Sequence, residues 1–322
     1  MTTLAVQASP VSAVQPPTRG TLALRYLRRN KSLGVGISLL LLLALFAVAG
    51  NLLLNVNKMA YPLAVKPKQA PDPGCLFDST KQLNKNCLVL GSDFYGRDLF
   101  AVMARGLVQT AQIGVVAGMI GTIIGTVLGF ISAYFGGIID AVIRGVTEVL
   151  LPIPVFLIQV LIAGSIDRKL ISDEKNGALL IMALIVVLFA WMGPTRVIRA
   201  QVLSMRERMF VNVAKLSGMS NLEIIFKEIM PNLLPFLGSA FVGQVFAAIF
   251  ASFGLAVLGL GPLREPLIGN TIYFAQYQAA IFNGWWWWPL WPSLTLILIF
   301  GGLTLIMVGL DEVANPRVRR SE

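Results

Sequence analysis

The sequence contains no histidine, and only 13% of its 322 residues are charged. Without histidine the chain has no imidazole for a proton relay or a metal site. It also lacks the Gly-x-x-x-x-Gly-Lys-Ser/Thr loop that holds nucleotide phosphates and the His-Glu-x-x-His pattern of zinc hydrolases. We therefore predict no P-loop ATP site, no metal site and no catalytic residues in this chain.

The balance of charge is basic, with a formal net charge of +10. The basic residues are scattered at the ends of apolar runs and form no basic face, so nucleic acid is not an expected partner. Apolar residues make up 56% of the chain and the mean hydropathy is +0.75. This composition predicts a polytopic protein of the lipid bilayer.

Six apolar runs are long enough to cross a ~30 Å hydrocarbon core as helices. They cover residues 34–54, 113–135, 142–166, 178–195, 236–260 and 292–310. Glycines at four-residue or three-residue spacing in the second run predict tight packing on a neighbouring helix. Pro152 and Pro154 in the third run favour a helix that lines a pore, because freed carbonyl groups need partners.

The predicted fold is an all-α bundle of six transmembrane helices. A basic cluster before the first run places the amino terminus in the cytoplasm. The expected divisions are a cytoplasmic tail (1–32), the first transmembrane helix (33–55), an extracytoplasmic loop (56–105), a five-helix core (106–311) containing an inner loop (196–232), and a cytoplasmic tail (312–322).

The inner loop contains a polar stretch, residues 210–232, that predicts two short helices. Met209, Val213 and Leu216 give the first helix an apolar face. Gly218 is expected to end it, because glycine adopts the left-handed conformation at little cost.

Ser220 and Glu223 have the spacing of a capping box that begins the second short helix. Its predicted apolar face consists of Leu222, Ile225, Phe226 and Ile229. Pro231 and Pro235 are expected to close it. Periodicity alone leaves open an amphipathic loop that rests on the membrane surface.

An alanine in a charged helix, a glycine four residues later and a following Ile-x-Pro resemble the cytoplasmic coupling loop of ABC importer permeases. Asn212, Val213 and Ala214 stand where that family has Glu-Ala-Ala, and Gly218 follows. Ile229 and Pro231 supply the Ile-x-Pro. The acidic first position and the first alanine of the family pattern are replaced here.

A second motif resembles the Gly-Thr-Asp-x-x-Gly-Arg-Asp signature of the C-type permeases of dipeptide and oligopeptide importers. Its matching residues are Gly91, Asp93, Gly96, Arg97 and Asp98, with serine in place of threonine at position 92. Taken alone, the motif is typical of a salt-bridged turn.

The resemblance implies the type I importer permease fold and a function in peptide uptake across the bacterial inner membrane. It implies a sister permease, two ATPase subunits that bind ATP and Mg, and an extracytoplasmic solute-binding protein. It also implies that the second short helix fills a groove of an ATPase. Nickel chelates or glutathione are alternative substrates, and a secondary carrier or a scaffold working alone is the rival function.

Two further features leave alternatives open. Asp140, Arg144 and Glu148 form a charged ridge that is either a solvated helix end or a tie to the coupling loop. The tryptophans at 285–288 and Trp291 are either an anchor at the membrane interface or a surface for stacking and docking.

Cys75 and Cys87 are the only cysteines, and both lie in the predicted extracytoplasmic loop. An oxidising compartment favours a disulfide between them, and two unrelated thiols are the alternative. We expect iodoacetamide to label neither cysteine in intact cells without reductant and both after reduction. Labelling of both without reductant would refute the bond.

Overall fold

The structure is a computed structural model that describes residues 30–53, 55–77, 87–167 and 177–314. The predicted tail segments 1–29 and 315–322 therefore lie outside the described residues. The helices are α1 (Lys31–Leu53), α2 (Val56–Met59), α3 (Leu99–Phe135), α4 (Gly137–Leu150), α5 (Val155–Ser165), α6 (Gly177–Ala190), α7 (Met192–Arg206), α8 (Met209–Leu216), α9 (Asn221–Glu223), α10 (Met230–Val257), α11 (Ile268–Tyr277) and α12 (Trp287–Ala314).

The fold is all-α, and its apolar helices are long enough to span a membrane. Within the described ranges five continuous stretches meet that length and composition, and they become six if the bent pair α4–α5 is counted as one span. The multi-pass architecture expected from the sequence is thereby confirmed. The boundaries of several elements differ from those expected.

The first difference is the start of α3, which begins at Leu99 inside the predicted loop 56–105. The Asp98 side chain caps the helix by accepting a hydrogen bond from the backbone N–H of Phe100 at 2.9 Å. Polar residues in the first turns, among them Arg105 and Gln109, lower the hydropathy of a segment that is nonetheless helical and largely buried.

The third apolar run is two helices and not one, which corrects the expected span 142–166. α4 and α5 meet at 78° across a break of four residues or fewer. Pro152 and Pro154 lie in that break, where their missing N–H groups and fixed φ angles prevent the helix from continuing.

The other prolines do not end helices where the sequence suggested. Pro194 occupies the third position of α7, and Pro231 lies within the first two positions of α10. Both prolines lie inside continuous helical stretches, Gly177–Arg206 and Asn221–Val257, and Pro235 also lies inside α10. Residues 196–206 are therefore part of α7, and the second short helix is not closed by Pro231.

α3 is the central helix, and its glycines allow close packing on three neighbours. A Cβ atom on Gly118 would lie 2.7 Å from Cγ2 of Val245 in α10. One on Gly121 would lie 2.6 Å from Cβ of Ala190, where α6 ends, and one on Gly125 would lie 2.8 Å from the Trp191 carbonyl oxygen. The tight packing predicted for this run is present.

α1 packs lengthwise on α12 through a similar contact of small residues. A Cβ on Gly36 would lie 2.8 Å from the Gly302 carbonyl oxygen. The Asn30 side chain caps α1 at the Leu33 N–H, 3.0 Å away, and donates to the Gly309 carbonyl at 3.0 Å. The first helix is thus attached to the last one at this end of the bundle.

We expect Gly125→Ala to lower the melting temperature in detergent, because its new methyl group meets backbone atoms of α7. Gly145→Ala is the matched control, since a Cβ there meets no atom within 4 Å. That change should leave stability unchanged or raise it by up to about 1 kcal/mol through helix propensity. Equal effects of the two substitutions would contradict the packing described here.

Candidate functional site

The first short helix, α8, ends in a glycine turn as predicted. The N–H of Met219 donates to the Ala214 carbonyl at 3.2 Å, and the N–H of Gly218 donates to the Lys215 carbonyl at 3.1 Å. This pair of bonds is a Schellman motif. Gly218 has φ +78° and open space around its Cβ position, so a side chain there is disfavoured by backbone conformation and not by crowding.

The second short helix begins with the predicted capping box. The Glu223 N–H donates to the Ser220 hydroxyl at 3.3 Å, and the Ser220 N–H donates to the Glu223 carboxylate at 3.0 Å. Lys227 donates to the other oxygen of that carboxylate at 3.0 Å. The helix–glycine–helix arrangement expected from the sequence is therefore present.

The buried face of α8 is not the one that periodicity suggested. Met209, Val213 and Leu216 are exposed, and Val211 and Ala214 are buried. A short helix with apolar residues on two faces gives no signal for which face meets the protein. The predicted apolar face instead points away from the described part of the chain.

The apolar face predicted for the second short helix is partly buried and partly exposed. It continues as a π-helical segment, Ile224–Ile229, before α10 begins. Because π-helical bonds join residues five apart, Ile224 and Ile229 share a face and are both fully buried. Ile225 is buried with them, whereas Leu222 and Phe226 are 62% and 59% exposed.

The exposed apolar side chains of the two short helices form one candidate docking surface, which we call the coupling surface. It consists of Met209, Val213, Leu216, Leu222 and Phe226. Asn212, at the position of the family glutamate, is exposed on α8 as well, and so is Pro231. Exposed apolar groups concentrated on a polar loop indicate a surface for a partner.

The buried side of the short helices packs on the ends of two long helices. Val211, Ala214, Ile224, Ile225 and Ile229 join one apolar cluster with residues of α3 and α7. Those residues are Phe130, Ala133, Tyr134, Ile198 and Val202. The coupling surface thus lies over a packed core and not over a loose loop.

Polar contacts attach the same helices to the end of α3. The Tyr134 hydroxyl donates to the Asn221 side-chain oxygen at 3.0 Å, which joins α3 to the start of α9. Arg206, the last residue of α7, donates to the Ala133 carbonyl at 3.0 Å. These contacts were not predicted, since nothing in the sequence spacing relates residues so far apart.

The charged residues on α4 have different roles: one ties α4 to another helix, and the other two lie on a solvated helix end. Arg199 of α7 binds both carboxylate oxygens of Asp140, with each N–O distance 2.6 Å, and the Ser132 hydroxyl also bonds to Asp140. Arg144 and Glu148 form a looser pair at 3.7 Å, with both side chains more than half exposed. Asp140 is therefore a tie between α4 and the helix that leads into the coupling loop.

At the opposite end of α3, the signature turn folds around Asp93. Its carboxylate accepts hydrogen bonds from the N–H groups of Tyr95 at 2.9 Å and Arg97 at 2.8 Å, and it also pairs with the Arg97 side chain. Gly91 and Gly96 have φ angles of +81° and +74°. Both glycines are needed for this backbone path.

The signature turn is the point where several segments at this end of the bundle meet. The Ser92 hydroxyl donates to the Lys66 carbonyl at 2.7 Å and accepts from the Gln69 N–H at 2.9 Å. The Trp287 indole donates to the Ser92 carbonyl at 3.2 Å. Its neighbour Trp288 is fully buried. An interface anchor is therefore wrong for these two tryptophans, which hold the turn against α12.

Two further features belong to this end of the bundle. Cys75 and Cys87 form a disulfide, with Cα atoms 5.3 Å apart. Burial raises the pKa of Asp98, the α3 cap, to about 6. The stability contributed by its protonated form is present below about pH 4 and is lost as the pH rises through about 6.

Clusters of three or more His, Cys, Asp or Glu side chains arranged to hold a metal ion do not occur in the described ranges.

Comparison with known proteins places this geometry in a family context. Residues 125–320 match the family described as binding-protein-dependent transport system inner membrane component. This match covers α7 to α10 and therefore includes the whole coupling surface.

Curated relatives match between 71% and 94% of this chain. The oligopeptide transport system permease protein OppC of Mycobacterium tuberculosis is 31% identical over 307 residues, covering 94% of this chain and 96% of the relative. The dipeptide transport system permease protein DppC of Bacillus subtilis is 28% identical over 298 residues, covering 92% and 86%. OppC of Lactococcus lactis is 29% identical over 233 residues, covering 71% and 75%.

We expect Arg199→Gln to lower stability by about 1–2 kcal/mol, because it leaves the partly buried Asp140 without its charged partner. Arg144→Gln is the control, since its exposed pair should be worth less than about 0.5 kcal/mol. Melting followed by tryptophan fluorescence in detergent distinguishes them. Equal melting temperatures would show that the α4–α7 tie has no stabilising role.

Proposed function

Because the chain belongs to the family of binding-protein-dependent transport system inner membrane components, we propose that it is the permease subunit of an ATP-driven importer of dipeptides or oligopeptides. The names of its relatives support the peptide class. The observation that carries the proposal is the coupling surface, an exposed apolar face on two short helices whose other sides are built into the core.

The proposed partner at the coupling surface is an ATPase subunit. Leu222 and Phe226 have the exposure that a groove of a partner could cover. Burying a large apolar side chain at an interface stabilises the complex by about 1.5–3 kcal/mol. ATP and Mg would be bound by two such ATPase subunits, and this chain would form the pore with a sister permease.

The packing supports a route by which a push on the coupling surface would be transmitted. The second short helix, the π-helical segment and α10 form one continuous helical stretch, Asn221–Val257, of 37 residues. At 1.5 Å per residue it is about 55 Å long. A displacement of Leu222 or Phe226 is therefore carried along α10 into the membrane.

The first short helix transmits the same displacement to other helices. Its buried residues Val211 and Ala214 contact the cluster on α3 and α7. The Arg206–Ala133 and Tyr134–Asn221 bonds hold the ends of these helices together. Closure of the ATPases would thus move α3, α7 and α10 as a unit, in the manner of rigid-body switching between two packed arrangements.

The proposed orientation places both termini and the coupling surface in the cytoplasm of a bacterial cell. The signature turn, the disulfide and the tryptophan cluster then face outward, where a solute-binding protein delivers substrate. An oxidising compartment on that side agrees with the Cys75–Cys87 bond.

Reconstitution tests the function. The chain would be purified from its native membranes with its associated subunits and placed in liposomes with the candidate solute-binding protein. We expect ATP-dependent uptake of dipeptides or longer peptides. Uptake of nickel chelates alone would contradict the peptide assignment, and uptake without ATPase subunits would contradict the importer assignment.

We expect Phe226→Asp to reduce ATP-driven peptide uptake about tenfold or more, because it places a charge in the proposed interface. The protein should insert normally and keep its melting temperature. Phe226→Leu, which keeps the surface apolar, is the control and should retain uptake.

Ile225→Asp gives the contrasting result in the same assay. Ile225 is buried in the core, so a carboxylate there should lower the melting temperature and the yield of folded protein. This corrects the expectation that Ile225 contacts the partner. Normal uptake by Phe226→Asp would refute the coupling surface.

A further inference from the structure

The spanning stretch that leads into the coupling loop lacks one of its own backbone hydrogen bonds near its middle. It covers Gly177–Arg206 and consists of α6 and α7, which meet at Trp191. In a continuous helix the carbonyl of Ala190 accepts a hydrogen bond from the N–H of residue 194. Residue 194 is a proline and has no N–H. The stretch therefore contains a joint between α6 and α7 that its own backbone does not close.

A side chain of another helix supplies the missing donor. The side-chain amide of Gln244 donates from Nε2 to the Ala190 carbonyl at 2.6 Å. Gln244 lies near the middle of α10, 54 residues away in sequence. A carbonyl freed by proline in a spanning helix needs a partner from a neighbouring helix, because the hydrocarbon core offers no water. The bond thus closes the joint and ties it to α10.

The joint is packed closely against α3. Ala190 is only 6% exposed, and a Cβ on Gly121 would lie 2.9 Å from its carbonyl oxygen. A Cβ on Gly125 would lie 2.6 Å from Cβ of Pro194. This packing leaves little room for water at the carbonyl. Loss of the Gln244 amide would therefore leave a buried acceptor without a partner.

Both helices that this bond joins lead to the coupling surface. α7 ends at Arg206, 16 residues beyond Ala190, which is about 24 Å along a helix. α10 is continuous with the second short helix in the stretch Asn221–Val257. A displacement of the coupling surface enters α7 and α10 together. The bond between Gln244 and Ala190 joins them directly inside the membrane, at the point where α7 gives way to α6.

We propose that Gln244 is a positioning residue for transport, which closes the joint at Pro194 and so carries the movement of α7 through to α6 in step with α10. Without the bond, the stretch bends at the proline and part of the movement is lost there. ATP hydrolysis then continues while fewer peptides cross the membrane per ATP. The inference rests on the proposed function, which makes α7 and α10 the route of the movement.

Three variants isolate the bond. Gln244→Leu removes the donor and keeps a side chain of similar size. Pro194→Ala keeps the Cβ atom and gives residue 194 an N–H for the Ala190 carbonyl, so the double variant no longer needs the glutamine. Thr195→Val is the matched control at the same joint. Its hydroxyl donates to the Trp191 carbonyl at 2.8 Å, but that carbonyl also accepts from the N–H of residue 195 at 3.0 Å.

Melting in detergent tests the contact without any transport. We expect Gln244→Leu to lower the melting temperature by a few degrees, because it leaves a buried carbonyl unpartnered. The same substitution in the Pro194→Ala background should cost clearly less, and Thr195→Val should change the melting temperature little. Equal losses in the two backgrounds would overturn the inference. If Gln244→Leu is too unstable to purify, Pro194→Ala should restore the yield of folded protein, and failure to restore it would have the same meaning.

The ratio of peptide taken up to ATP hydrolysed tests the role in transport. The chain and its associated subunits are placed in liposomes with the candidate solute-binding protein, and the substrates are radiolabelled dialanine and pentaalanine. We expect Gln244→Leu to lower the ratio about fivefold, the factor that corresponds to a hydrogen bond of ordinary strength. The double variant should regain most of the wild-type ratio. Pro194→Ala alone and Thr195→Val should keep it.

An unchanged ratio in Gln244→Leu would overturn the inference, as would a lowered ratio that Pro194→Ala does not restore. Loss of uptake by Pro194→Ala alone would also overturn it, because the joint would then have to bend during transport. In all these cases ATP-driven uptake by the wild type leaves the proposed function in place. A wild-type assembly without such uptake overturns the importer function and this role with it, whereas the melting temperatures still decide whether Gln244 closes the joint.

Discussion

The close packing of α3 against its neighbours is the constraint on which the rest of the structure depends. Glycines along this helix let α6, α7 and α10 approach to backbone contact, and a side chain at Gly118, Gly121 or Gly125 would push them apart. Helices in lipid gain little from hydrophobic burial against each other, so van der Waals contact of this kind is a main source of their association. A helix of 37 residues packed on three neighbours is also well suited to connect events at its two ends.

Each end of α3 carries one of the two motifs that resemble those of importer permeases. The signature turn supplies Asp98 as the cap of the first residues of α3, and buried tryptophans hold that turn in place. At the other end, Tyr134 and Ala133 bind Asn221 and Arg206, so the two short helices are fixed to the last turn of α3. The apolar side chains that remain exposed there are those left over after this core is complete.

The sequence was sufficient to predict the all-α fold, the apolar runs and the turn chemistry at Gly218 and Ser220, because these depend on local composition and spacing. It was not sufficient to assign which faces of the two short helices are buried. Val213 and Val211 are equally apolar, and only the position of α3 and α7 decides which one is buried. The π-helical segment likewise shifts Ile224 into the core at a point where a 3.6-residue period selects Leu222 and Phe226. The prolines did not mark helix ends either, because Pro194, Pro231 and Pro235 lie inside continuous helical stretches.

The central claim is that the exposed side of the short helices, and not the buried side, meets the ATPase. Two cysteine substitutions test this directly: Leu222→Cys on the coupling surface and Val211→Cys in the core beneath it. The native Cys75 and Cys87 are kept and remain joined as a disulfide. After treatment of native membranes with a short bifunctional maleimide, the account predicts cross-linking of the ATPase to position 222 and none to position 211. Cross-linking at 211 alone, or at neither position while the ATPase still copurifies, would contradict it.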